Sequence, residues 1–189
     1  MIYDAVIIGG GVVGCAILNK LTRLNQNVAL IEKGDDVALG ASRANSGIVH
    51  AGFDCKPNTL KAKFNVEGNP LVYGLAKELG VSYKNCGAVV VGNNKKMVTE
   101  LYNRGIKNGV DGIEILTRDR LLELVPHLAD DVTCGLYAKT SGIVSPFMLT
   151  VALAEQAVIN GAKVFFNTEI TKVKKCGEHY LLSGKNFNI

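Results

Sequence analysis

The chain has 189 residues, 48% of them hydrophobic and 6% aromatic, with no Trp. That supplies a core for one or two globular domains, but not an aromatic platform for stacking bases. The net charge of +4 is mild and the only basic cluster is Lys172, Lys174 and Lys175, which reads as a solvated strand end and makes no case for nucleic acid or an anionic membrane.

Five cysteines, Cys15, Cys55, Cys86, Cys134 and Cys176, are odd in number and widely separated, with no C-x-x-C pair. They read as reduced thiols rather than a disulfide framework, and the protein reads as cytoplasmic. No His/Cys/carboxylate spacing suggests a metal, and no G-x-S-x-G nucleophile motif occurs. No apolar run approaches the ~20 residues of a bilayer span. Ala5–Leu18 lacks the basic segment that precedes a signal-peptide core.

Ala5–Ile8 is a short apolar run that predicts a buried parallel strand. Gly9, Gly11 and Gly14 follow as G-x-G-x-x-G. Val13, Ile17, Leu18, Leu21 and Leu24 then recur at helical spacing. Val28–Ile31 predicts a second strand with Glu32 at its tip. This is the pattern of a βαβ unit that binds a dinucleotide. The first glycine allows the turn, the second lets backbone approach a pyrophosphate, and the third lets helix and strand pack closely. The helix N-terminus offers amides to the phosphates, and Glu32 would accept hydrogen bonds from a ribose diol. The plainer alternative, a tight turn in an ordinary α/β domain, leaves that acid unexplained.

The connection from Lys33 to Gly52 is long beside the usual ~2–6 residues. Within it, GASRANSGIVHAG is dense in small residues that would let a flat ring or a phosphate lie against the backbone. Ser42, Asn45 and Ser46 add short polar groups. A Gly/Ser loop without a ligand is the competing reading. Asn58 to Gly80 predicts helix, capped by Asn58 or Thr59, with Leu60, Phe64, Leu71, Leu75 and Leu79 on its apolar side and a kink or break at Pro70. Val81–Val91 reads as extended, with a bend or bulge at Gly87. Met97–Asn108 predicts an amphipathic helix, Ile113–Leu116 a strand, and Arg118 to about Leu124 a helix capped by Thr117. After the turn-rich stretch 132–145, Ser145 caps a helix from Pro146 to Asn160. Strands follow at Ala162–Phe166, Ile170–Lys174 and Tyr180–Ser183.

The shift at about Val81 from α/β alternation to strand-rich sequence predicts an inserted second domain. On this reading residues 1–80 and 145–189 form the nucleotide-binding domain and 81–144 the first part of the insert. An open parallel sheet needs more strands and a closing helix than Leu181–Ile189 provides. The chain is therefore expected to be cut short, as a fragment or an interrupted reading frame.

At GASRANSGIVHAGF the sequence passes beyond a generic nucleotide loop. Together with DAVIIGGGVVGCAIL, VALIEK, LKAKFNVEGNPLVYGLAKELG and SGIVSPFMLTVALAEQAVINGAKVFFNTEITKV, it resembles the FAD-dependent oxidoreductases of the D-amino-acid-oxidase type. Within them it is most similar to the bacterial glycerol-3-phosphate dehydrogenase and L-2-hydroxyglutarate oxidase relatives. The resemblance implies an α/β fold: a glutathione-reductase-like FAD-binding Rossmann domain, interrupted by a mixed α+β substrate domain and here truncated. It implies that Gly9, Gly11, Val13 and Gly14 face the FAD pyrophosphate, Glu32 the adenosine ribose, and Lys33 the adenine end. Ser42, Asn45, Ser46 and Gly47 would line the pyrophosphate, ribityl chain or flavin. Ile170 would hold the adenine through its backbone amide and carbonyl. Family members are around twice as long, so this chain would carry the adenine-side half of a site whose C-terminal half lies elsewhere.

The implied reaction is hydride transfer to flavin from the C–H beside an alcohol, with glycerol 3-phosphate or a related small anionic hydroxy acid as substrate. The resemblance also leaves room for peripheral membrane association of a full-length enzyme. His50 is the best acid/base or flavin-contacting candidate, against the plainer reading of a loop histidine. Arg43, Lys56, Lys61 and Lys63 would attract an anion or simply be solvated, and His127 and His179 read as surface residues. Two other functions compete: a non-catalytic nucleotide-binding remnant, and an NAD-dependent dehydrogenase. The second fits the first βαβ unit but not GASRANSGIVHAG.

Overall fold

A computed structural model describes residues 2–185, 187 and 188. The chain runs β1 (Ala5–Ile8), α1 (Val12–Thr22), β2 (Val28–Ile31), β3 (Ile48–Val49) and α2 (Leu60–Glu78). It continues with β4 (Tyr83–Lys84), β5 (Ala88–Gly92), α3 (Lys95–Asn108), β6 (Ile113–Thr117), α4 (Arg118–Leu124), β7 (Cys134–Ala138) and β8 (Gly142–Val144). Last come α5 (Pro146–Ile159), β9 (Lys163–Phe165), β10 (Ile170–Cys176), β11 (His179–Gly184) and β12 (Phe187–Asn188). Residue contacts divide it into two units, Met1–Ser46 with Ser145–Ile189, and Gly47–Val144.

In the first unit β1, β2 and β9 form a parallel sheet in that order, with Ala5 beside Val28 and Ala29 beside Lys163. The central strand β2 is buried at all four residues, as its unbroken apolar run requires. Helix α1 packs on β2 and against α5. Its buried residues are Cys15, Leu18, Asn19 and Thr22, spaced i, i+3, i+4, i+7. This bears out Leu18 but corrects the rest of the expected apolar side. Val13 and Ile17 are exposed, as is Leu24, because α1 is apolar nearly all round and the face with small and polar side chains is the one that admits α5. Asn19 pays for its place there by donating to the Leu153 carbonyl at 3.3 Å. Fully buried Leu18, Leu30 and Leu153 each contribute roughly 1.5–3 kcal/mol. A second, antiparallel sheet β10-β11-β12 completes this unit, and the Phe165 and Phe187 rings meet at 5.4 Å.

The second unit has two antiparallel sheets, β5-β7-β6 and β3-β8-β4. The extended stretch 81–91 is thus two strands in different sheets, with Gly87 at φ +74° between them. Helix α3 packs on the first sheet over a core that includes Phe53, Val98, Val110 and Leu136. It begins two residues earlier than its apolar pattern because Asn94 Oδ1 caps Lys96 and Met97. It ends at Gly109, in the left-handed conformation that favours glycine.

Helix α2 runs unbroken through Pro70, where an interior proline costs roughly 3 kcal/mol. Side-chain bonds flank that position. Asn69 Nδ2 donates to the carbonyls of His50 at 3.0 Å and Thr140 at 2.9 Å, and Tyr73 Oη donates to Thr140 O at 3.0 Å. The expected apolar side is again wrong. Leu60, Phe64 and Leu71 are 71%, 61% and 69% exposed, and the buried residues are Ala62, Asn69 and Ala76, seven apart. These bonds place α2 in the second unit, so residues 47–80 pack with the insert rather than with the glycine-loop unit. No helix among the described residues is long and apolar enough to cross a membrane.

Candidate functional site

The glycine loop joins β1 to α1. Gly9 holds φ +106°, and a Cβ built on it would meet open space, so the backbone can be approached closely there. Gly14 is the opposite case: its Cβ would run into the Gly9 carbonyl oxygen, and only glycine lets helix and strand end come together. The first amide–carbonyl bond closing this turn is Cys15 N to Gly11 O. Amides earlier in a helix have no carbonyl within it to reach. Val12 N instead donates to Ser42 Oγ at 2.9 Å, so Ser42 caps α1 from the long connection. Val13 and Gly14 occupy the same turn, with Val13 exposed.

Glu32, at the tip of β2, is gripped from both sides. Its Oε2 accepts from Gly10 N at 2.6 Å and its Oε1 from Gly34 N at 2.8 Å. Burial works against the charge, but the amides of Gly10, Gly34 and Lys33, with the Lys33 ammonium, outweigh it and hold the carboxyl below the usual carboxylate range. Beneath the loop, burial and then the Glu32 charge push the Cys15 thiol up to about 11, so it stays a neutral packing group. The next connection is tied to the same place: Thr168 N donates to Glu32 O at 3.0 Å and Asn167 N to Gly34 O at 2.8 Å. Ile170 follows directly, at the start of β10 beside a register shift.

The structure thus brings Gly9, Gly11, Glu32 and Ser42 together through bonds at the glycine turn, with Gly14 packed against the Gly9 carbonyl, Val13 and Lys33 beside them and Ile170 two residues beyond Thr168. Asn45 and Ser46 are exposed on the connection that carries Ser42. Asn45 Nδ2 donates to the carbonyls of Ala41 and Ser42, which fixes the turn holding the cap. Gly47 and His50 belong to the second unit. Gly47 is buried and its carbonyl accepts from Val144 N; His50 is exposed and its carbonyl accepts from Asn69. Sequence reasoning missed Gly10, Gly34 and Thr168, whose contribution is purely backbone. The extra glycine in GGG and the glycine after Glu32-Lys33 were the available signals. Among the described residues, no group of three His, Cys, Asp or Glu side chains is placed to hold a metal ion.

An open-backed glycine turn, a helix start with amides to offer and an ionised acceptor at a neighbouring strand tip fit a pyrophosphate-linked nucleoside such as the adenosine half of FAD. The family described as DAO, FAD dependent oxidoreductase, matches residues 4–186. The chain is 44% identical over 176 residues to the glycerol 3-phosphate dehydrogenase of Caloramator mitchellensis, covering 92% of this chain and 37% of that one. It is 33% identical to the glycerol 3-phosphate oxidase of Mycoplasma pneumoniae, over 91% of this chain and 46% of the relative. Among solved structures, dithionite-reduced L-α-glycerophosphate oxidase from Mycoplasma pneumoniae with FAD bound superposes with TM-score 0.92 at 31% identity, over 98% of this chain and 50% of that one. Glycine oxidase from Geobacillus kaustophilus gives 0.89 at 26%, over 98% of this chain and 52% of that one. The chain spans about half the length of these relatives or less. With nearly every residue matched, it belongs to the FAD-dependent oxidoreductases of the D-amino-acid-oxidase type, α/β in fold and related to the glycerol-3-phosphate dehydrogenases and oxidases.

Proposed function

We propose that this chain supplies the adenosine-side half of an FAD site in an enzyme that oxidises glycerol 3-phosphate or a closely related hydroxy acid. The observation that carries the reading is Glu32, held ionised between the Gly10 and Gly34 amides at the tip of the strand beside the glycine turn. In this reading Gly9 and Gly11 admit the pyrophosphate to the amides of Val13 and Gly14, and Ser42 keeps the helix start in place. Glu32 accepts from the ribose hydroxyls with the lone pairs its two backbone bonds leave free. Lys33 and the backbone of Ile170 flank the adenine, while Asn45, Ser46 and Gly47 line the path toward the flavin.

Bound FAD supplies the hydride acceptor. His50 takes the hydroxyl proton of the substrate at its imidazole as the C–H bond breaks. The names of the relatives support the substrate class. The thiols, free throughout, support a reducing compartment, and we place the protein in the cytoplasm.

The test is a titration of the purified chain with FAD, followed by visible absorbance and by competition with ADP. Uptake of FAD that ADP displaces is the expected result, with affinity about tenfold or more weaker in Glu32→Ala. A folded chain that takes up NAD and no flavin overturns the reading. Fused to the C-terminal remainder of the Caloramator mitchellensis relative, the chain should oxidise glycerol 3-phosphate. His50→Ala should then lower kcat by roughly 10²-fold or more with FAD still bound, and unchanged turnover removes His50 from the reaction.

A further inference from the structure

His50 directly follows β3. It is exposed, while Val49, Ala51 and Phe53 around it are buried, so its backbone is fixed in the second unit and its imidazole is open. The β3–β8 ladder ends just before it. Ile48 faces Ile143 and Val49 faces Gly142, but Ser141, the next residue on that side, bonds elsewhere. Its N–H donates to Ala138 O and its carbonyl accepts from Gly87 N. A side chain takes over where the ladder stops. Asn69, 7% exposed on α2, donates from Nδ2 to His50 O at 3.0 Å and to Thr140 O at 2.9 Å. One amide group carries both hydrogens, so it ties the end of β3 to the turn that precedes β8. Tyr73 Oη, one turn further along α2, donates to the same Thr140 O at 3.0 Å. The fit is close: a Cβ on Gly142 would run into the Lys84 carbonyl and the Tyr73 hydroxyl.

We infer that Asn69 is the positioning residue of His50. By holding the His50 carbonyl against the Thr140 turn it fixes the peptide that leaves β3, and with it the direction in which the imidazole departs from the backbone. Packing does little to orient an exposed ring, so its aim depends on the main chain beneath it. Burying the Asn69 amide is costly without partners, and both of its donor hydrogens are committed to these two carbonyls. A displacement of about 1 Å in a reacting group can cost on the order of 10²-fold in rate, so a bond that fixes the His50 peptide bears on turnover. That consequence rests on the proposed role of His50 as proton acceptor; the positioning itself does not.

Two measurements test it. In the chain alone, proton resonance resolves the imidazoles, and His50→Ala identifies which signals belong to His50. Asn69→Ala should shift those signals and leave the ones from His127 and His179 in place. Asn69→Leu, which keeps the volume and removes both donors, should do the same and serves if the smaller side chain unfolds the unit. His50 signals unmoved in a folded Asn69 variant overturn the inference. In the fused enzyme, Asn69→Ala should lower kcat on glycerol 3-phosphate about tenfold or more, with KM within about twofold and FAD content unchanged. Combined with His50→Ala it should add no further loss, because both act through one imidazole. Tyr73→Phe removes the other donor to Thr140 but leaves His50 its partner, so it should lower the melting temperature and keep kcat close to the parent. Equal losses of kcat in Tyr73→Phe and Asn69→Ala, or losses that multiply in the double variant, mean general damage and overturn the inference. Unchanged turnover in His50→Ala instead removes the proton-acceptor reading, and the imidazole signals alone then decide whether Asn69 positions His50.

Discussion

Glu32 sits where a strand ends and two loops converge, and its carboxylate is the charge that organises them. Both oxygens accept backbone amides, so the ionised form is worth more to the folded chain than to the unfolded one. The folded-state pKa lies below its ordinary value. Its contribution to stability is therefore complete above the unfolded carboxylate range and is lost as pH falls through the folded value. Glu32→Gln should thus melt lower than the parent at pH 7, since a neutral amide turns an N–H donor toward one of those amides. The difference should shrink as the pH falls through about 4 and below. A gap in melting temperature that does not narrow in acid would show that the grip on Glu32 is not electrostatic.

Helices α1 and α2 share a lesson in how elements choose their buried face. In each, the large apolar side chains point to a helical stripe, and in each most of that stripe is outside while small or hydrogen-bonding residues are buried, Leu18 of α1 being a large apolar member that is buried with them. Close approach favours Cys15, Ala62 and Ala76, and a buried Asn is tolerated where it closes bonds to carbonyls. Glycines within helices divide by the same logic. A Cβ on Gly68 or Gly74 of α2 meets nothing within 4 Å, so Gly68→Ala and Gly74→Ala should each stabilise by about 0.5–1 kcal/mol. Gly14→Ala should destabilise and impair FAD uptake, because the methyl collides with the Gly9 carbonyl oxygen. Chemical denaturation of the three variants checks the contrast, and a stabilised Gly14→Ala would refute the packing argument.

At the scale of the whole molecule, the second unit is one continuous stretch, Gly47–Val144, whose two ends are bonded to each other by Val144 N and Gly47 O at 2.9 Å. It has its own core of Phe53, Val98, Val110 and Leu136 beneath α3. Close ends and an internal core are the properties of an insert that folds by itself. Residues 47–144 expressed alone should give a cooperative thermal transition and dispersed amide resonances. A non-cooperative melt would mean that this unit depends on the rest of the chain. The first unit is made from two separated stretches, and its sheet forms only when β9 returns to pair with β2.

The local chemistry of the site was legible from the sequence. A strand, three spaced glycines, a helix and an acid at the tip of the next strand each follow from residue type and spacing. The Thr59 and Ser145 side chains cap α2 and α5 as read, because caps and tight turns are short-range and depend on a few adjacent residues. Tertiary structure alone decided what depends on distant partners. Ser42 caps α1 across thirty residues, a bond that no local pattern announces. Helix α2 was assigned to the nucleotide-binding part, but Asn69 and Tyr73 bond it to Thr140. The faces of α1 and α2 were misread because hydrophobicity states what would be buried in isolation, whereas packing selects the side chains that let two backbones meet. The position of β1 is the same point in reverse: its sequence is as apolar as that of β2, and only the fold places it at the end of the β1-β2-β9 order among the described residues.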